Sequence, residues 1–62
     1  MKRRLLLKHL KKYGCEFLRE GKKHAVYINP KLKKVSTIPR HIEIPDKLAR
    51  KICKDLGISL PK

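Results

Sequence analysis

The stretch CEFLREGKKHAVYINPKLKKVSTIP, residues 15–39, decides the fold because it holds three short runs of β-favouring residues. Residues 24–29 are rich in β-branched and aromatic side chains, which is typical of a strand. Residues 15–20 alternate in part between polar and apolar side chains and stop at a glycine. The two runs therefore predict a β-hairpin that turns at residues 21–23.

A third strand is predicted after the hairpin. Pro30 and the lysine-rich residues that follow it break the strand pattern and indicate a second turn. Residues 35–39, VSTIP, are β-branched enough for a strand that ends at Pro39. Three consecutive strands joined by short turns predict an antiparallel sheet, which has one face to bury.

A helix is predicted on each side of this segment. In residues 3–13 the apolar side chains recur at spacings of three and four, and Gly14 follows where a left-handed residue ends a helix. Pro45 is predicted to begin the second helix, and Gly57 to end it. The apolar stripes are Leu6, Leu7, Leu10 and Tyr13 in the first helix, and Leu48, Ala49, Ile52, Cys53 and Leu56 in the second.

The order helix, strand, strand, strand, helix predicts an α+β fold with both helices packed on one face of a three-stranded antiparallel sheet. This is the arrangement of double-stranded-RNA-binding-like domains. The 62 residues leave room for one domain, residues 1–62. A chain this short buries only about 60% of its unfolded surface, so deep clefts and large cofactors are not expected.

The charge points to a polyanionic or acidic partner. Eighteen lysines and arginines against five acidic residues give a formal charge of +13, which destabilises a compact chain through self-repulsion. The basic residues are spread over nearly every predicted element, which is typical of a surface that contacts a phosphate backbone and does not read bases.

The two cysteines, Cys15 and Cys53, form no redox or metal motif, and they predict reduced core residues of a cytoplasmic protein. Lysines and a histidine interrupt the apolar run near the start, so a secretory signal is not expected there. No segment is long enough to span a membrane, and neither a membrane partner nor a cofactor is predicted.

His24 is the sharpest candidate for chemistry. An imidazole titrates near neutral pH, so it can act as a base. RNA is the substrate that such a base would suit, because its 2′-hydroxyl is an internal nucleophile that can be activated without a metal. Lys22 and Lys23 beside it would hold the phosphate, and Gly21 would form the turn that supports the site. Local sequence alone favours the alternative that His24 is a solvated turn residue.

Other histidines and aromatics give weaker signals. His41 could be a second acid or, with Arg40, a phosphate contact, but a simple loop residue is the favoured interpretation. His9 is assigned no role, and the spacing of the histidines with other potential ligands predicts no metal site. Tyr27 could stack on a base or pack against the sheet.

Five pieces of the chain, taken in order, resemble the HicA family of small toxins from bacterial and archaeal toxin-antitoxin pairs. They are KKYGCEFLREG, the turn GKKH, the strand AVYINP, the segment TIPRHIEIP and the closing LARKICKDLGI. The family often has a small residue such as serine where Lys23 stands.

The resemblance implies an mRNA interferase with a double-stranded-RNA-binding-like fold, in which His24 corresponds to the catalytic histidine. It also implies cleavage of mRNA without metal, and neutralisation by a HicB-family antitoxin that covers the active face. Two rival interpretations stay open: a non-catalytic RNA- or DNA-binding module, and a basic first helix that lies on anionic lipid.

Overall fold

The computed structural model describes residues 1–60 and has the predicted order of elements. Three antiparallel strands form one sheet in the order β1, β2, β3. The arrangement is that of double-stranded-RNA-binding-like domains, as predicted. The elements are α1 (Arg3–Lys12), β1 (Glu16–Glu20), β2 (His24–Asn29), β3 (Lys34–Pro39) and α2 (Asp46–Leu56).

Helix α1 buries Leu6 and Leu10, which lie one turn apart on the same side of the helix. Tyr13 is the C-cap, and Gly14 follows in the left-handed conformation with φ of 84°. The amide of Cys15 then donates to the Leu10 carbonyl at 2.9 Å, so the chain turns directly into the sheet. The predicted helix end at Gly14 is confirmed.

Helix α2 buries the predicted stripe, with Leu48 only partly covered. Pro45 was expected inside the first turn, but it lies just before the helix as the N-cap, and its carbonyl accepts the first helical hydrogen bond from Ala49 at 2.9 Å. Proline suits this place because its missing N–H leaves no donor unsatisfied. Gly57 ends the helix with φ of 72°, as predicted.

Both helices cover the same face of the sheet. Strand residues alternate between faces, and the helix side carries the buried Asn29, Ser36 and Ile38. The amide nitrogen of Asn29 donates to the Leu56 carbonyl of α2 at 2.8 Å. Ile38 packs in one core with residues from both helices, namely Leu6, Leu10, Ala49, Ile52, Cys53 and Leu56.

The other face of the sheet carries no helix. His24 and Thr37 are exposed there, and Val35 is 52% exposed. Strand β1 forms one edge, and all of its side chains are exposed. Its pairing with β2 slips by one residue between Phe17 and Arg19, a bulge that the sequence did not indicate.

The cysteines pack in the core, as predicted. Cys15 and Cys53 are both free thiols, and each is buried. Burial raises the pKa of both thiols above the ordinary 9.0, with a further increase at Cys53 from the neighbouring Cys15. Both are therefore protonated and poorly nucleophilic at neutral pH.

The segment between β3 and α2 is tied to the start of α1. Lys2 and Glu43 form an isolated antiparallel bridge, and the Arg3 amide donates to the Ile42 carbonyl at 2.7 Å. This pairing brings the first turn of α1 beside the end of β3. Within residues 1–60, no helix has both the length and the apolar character needed to cross a bilayer.

Candidate functional site

The candidate site lies at the hairpin turn between β1 and β2. The Gly21 amide donates to the His24 carbonyl at 2.7 Å and closes the turn. A Cβ atom at Gly21 would lie 3.1 Å from that same carbonyl oxygen, and a backbone atom cannot rotate away. An alanine at this position would therefore force the backbone at His24 to shift by a few tenths of an ångström, so the close approach of the two backbones favours glycine.

His24 is the first residue of β2 and its side chain is exposed. Alternation along the strand places the ring on the helix-free face of the sheet. Its partner across the sheet is Pro39 of β3. The ring forms no hydrogen bond or ion pair with residues 1–60, so both nitrogens are open to a bound molecule.

Lys22 and Lys23 are exposed in the turn immediately before His24. Neither makes an ion pair within the part of the chain that the structure describes. Two uncompensated cations next to an open imidazole can attract a phosphate and stabilise charge that develops on it.

Arg40 lies beside the turn, and its guanidinium pairs with the Glu20 carboxylate. The two residues follow β3 and end β1, so they flank the start of β2 on both sides. About half of each side chain is exposed, which limits the pair to about 1 kcal/mol or less. An incoming phosphate can therefore compete with Glu20 for Arg40.

His41 follows Arg40 in the segment before α2 and is exposed. It makes no hydrogen bond with the described residues, and nothing in the geometry fixes its ring toward His24. The roles of His41 as a second acid and as a phosphate contact therefore stay predictions, beside its interpretation as a simple loop residue.

Arg3 is a candidate that the sequence analysis missed. Its Nε donates to the Pro39 carbonyl at 2.8 Å, and Pro39 is the sheet partner of His24. A guanidinium has five N–H donors, so the others remain available to a ligand. Arg3 and Pro39 are 36 positions apart, so their contact has no local signal in the sequence. The sequence showed only a basic cluster at residues 2–4.

His9 has a structural environment. Its Nε2 lies 2.7 Å from the Ser59 carbonyl oxygen, and its ring packs against Tyr13 with centroids 4.9 Å apart. Within residues 1–60, no three acidic, histidine or cysteine side chains are grouped as metal ligands.

A match to a known protein family covers nearly the whole chain. A family model described as the HicA toxin of bacterial toxin-antitoxin matches residues 3–58. The matched span begins at α1 and ends just beyond α2, so it includes the hairpin turn and His24. No curated protein and no solved structure gives a match.

Proposed function

The chain belongs to the HicA family of toxins from toxin-antitoxin systems, and on that basis we propose that it is a metal-independent endoribonuclease that cleaves mRNA in the cytoplasm. The observation that carries the proposal is the exposed His24, which stands at the hairpin turn directly after two lysines that make no ion pair within residues 1–60. Membership of the family implies a cognate antitoxin as partner.

His24 acts as the general base in the proposed reaction. Its neutral ring takes the proton of a 2′-hydroxyl, and the 2′-oxygen attacks the adjacent phosphorus. The bond from phosphorus to the 5′-oxygen breaks, which leaves a 2′,3′-cyclic phosphate and a 5′-hydroxyl. The departing oxygen takes its proton from His41, from a lysine or from water.

Positive charge around the turn stabilises the transition state. Lys22 and Lys23 contact the phosphate oxygens, on which negative charge grows during attack. Arg40 joins them when the phosphate displaces Glu20, and Arg3, which donates to the Pro39 carbonyl, adds a second guanidinium. This arrangement supports catalysis without a metal ion.

The antitoxin in this proposal is a HicB-family protein that covers the turn and the helix-free face. Acidic side chains on such a partner would offset the charge of +13, and its contact would bury the exposed Val35. Addition of the antitoxin should then suppress RNA cleavage.

A non-catalytic nucleic-acid-binding module is the second candidate. The observation that favours it is the charge on both helices, since exposed basic residues cover α1 and α2 as well as the turn. Such a surface binds phosphates wherever it meets them, with or without turnover.

Purified protein incubated with labelled RNA in EDTA should produce fragments that end in a 2′,3′-cyclic phosphate. EDTA removes divalent metal ions, and cleavage should persist in its presence because the proposed chemistry uses only side chains. Gel separation and end-group analysis of the fragments measure the result. A shifted but intact RNA band would instead support the binding module.

The variant Gly21→Ala should lower the cleavage rate about tenfold, because misplacement of a catalytic group by about 1 Å can cost a hundredfold. Its Cβ would press on the His24 carbonyl oxygen at 3.1 Å and shift the start of β2. Single-turnover kinetics on short RNA give the rate.

Gly14→Ala is the matched control for Gly21→Ala. Gly14 is left-handed, with φ of 84°, and has open space around it. An alanine there should cost about 1–2 kcal/mol of stability through backbone strain and leave cleavage by the folded protein unchanged. Equal loss of cleavage in both variants would contradict the role of Gly21.

A further inference from the structure

A groove of about 520 Å³ lies between α1 and the first two strands, away from the hairpin turn. Phe17 of β1 and Tyr27 of β2 face each other across the sheet and form its aromatic floor. Their rings meet edge to face with centroids 5.8 Å apart and an interplanar angle of 78°. Phe17 is 53% exposed, so part of its ring is open to a ligand.

Helix α1 supplies a positive rim to this groove. Arg4, Lys8 and Lys11 all line it, and their spacings of four and three place them on one side of the helix. All three are exposed, and none makes an ion pair within residues 1–60. Glu16, the first residue of β1, is the acidic residue of the lining.

An aromatic floor beneath a row of cations fits one kind of ligand best. A nucleobase in a single strand offers a flat face that can stack on an aromatic side chain. The phosphates of the same strand can contact the row of cations beside it. An apolar protein side chain would use the floor but leave the row of cations unpaired. In duplex RNA the base faces are stacked on their neighbours and closed to the groove.

We propose that this groove binds an unpaired base of the RNA substrate that flanks the cleaved position. Stacking on Phe17 holds the base, while Arg4, Lys8 and Lys11 of α1 bind the phosphates. The inference rests on the proposed function, because the bound RNA is a substrate only if the protein cleaves RNA.

The position of the groove suits a flanking nucleotide. Tyr27 lies three residues beyond His24 on β2, which is about 10 Å along the strand. The two side chains lie on opposite faces of the sheet by alternation, so the RNA strand must cross the β1 edge to reach both. The groove therefore selects RNA that is single-stranded near the cleaved bond.

Binding of a short unstructured RNA to the His24→Ala protein tests the groove without cleavage. The probe has about eight nucleotides, within the range that single-strand-binding domains cover. Phe17→Ala should weaken the affinity by about tenfold, the loss typical of one stacking contact, and Phe17→Trp should restore it. Fluorescence anisotropy at fixed salt measures the dissociation constant.

Leu18→Ala is the matched control, because Leu18 is the next residue of the same edge strand, is 48% exposed and does not line the groove. It should leave RNA affinity unchanged. Both variants are expected to fold, because Phe17 and Leu18 are both on the surface. Circular dichroism checks this.

Two outcomes would overturn the inference. The first is an unchanged RNA affinity of Phe17→Ala; if this variant also binds the antitoxin more weakly, the groove is a protein contact. The second is an equal loss of affinity for a duplex of the same sequence.

The binding test and the cleavage test fail independently. Cleavage by the wild-type protein decides the proposed function, whereas the affinity series uses a protein that lacks His24. A loss on Phe17→Ala without any wild-type cleavage would keep the groove as an RNA site and end the proposal of an enzyme.

Discussion

His24→Ala is expected to lower the RNA-cleavage rate by about 10²–10⁴-fold, the usual contribution of a positioned general base. The ring is exposed, and it makes no hydrogen bond or ion pair with residues 1–60. Stability should therefore change by no more than about 0.5 kcal/mol. The loss of cleavage would then come from chemistry alone.

Initial rates on one labelled RNA, compared at equal concentrations of folded protein, measure this effect. His9→Gln is the control, because His9 contacts the Ser59 carbonyl and the Tyr13 ring and lies outside the site. It should keep the wild-type rate. Cleavage by His24→Ala within threefold of wild type would contradict the assignment of the base.

Ile38→Ala is expected to destabilise the protein by about 2–5 kcal/mol, because it leaves a cavity where a fully buried side chain joined β3 to both helices. A domain of 62 residues has a total stability of about 3–9 kcal/mol. The variant should therefore be partly or largely unfolded at 37 °C.

Urea denaturation followed by circular dichroism measures this loss. Val35→Ala removes two carbons from the same strand on the helix-free face, where the side chain is 52% exposed. It should cost about 0.5 kcal/mol or less. Similar midpoints for Ile38→Ala and Val35→Ala would show that the core lies elsewhere.

The sequence indicates the elements of this fold well because local signals agree with one another. The apolar spacing in α1 and the left-handed Gly14 point to the same helix end, and the hairpin turn follows from its flanking strands. Two details were not visible in the sequence. The bulge at residues 17–19 depends on how β1 pairs with β2, and Pro45 lies one position earlier than predicted because proline is tolerated both at the N-cap and in the first turn.

The candidate site was visible only where its residues are neighbours in sequence. His24 with Lys22 and Lys23 forms a continuous stretch, so its chemistry could be inferred without a structure. Arg3 contacts Pro39, the sheet partner of His24, only because the segment before α2 pairs with the chain start. The pairing of Arg40 with Glu20 joins the ends of two strands and has no local signal either.

The hydrogen bond from Asn29 to the Leu56 carbonyl makes the central strand a cap for the end of α2. The end of β2 and the last turn of α2 are thus expected to open together, as one cooperative unit. No side chain of strand β1 makes such a hydrogen bond to a helix within residues 1–60, and all five residues of this edge strand are exposed. Local unfolding should therefore begin at β1, which carries Phe17 and Glu20, and release one wall of the hairpin before the core opens.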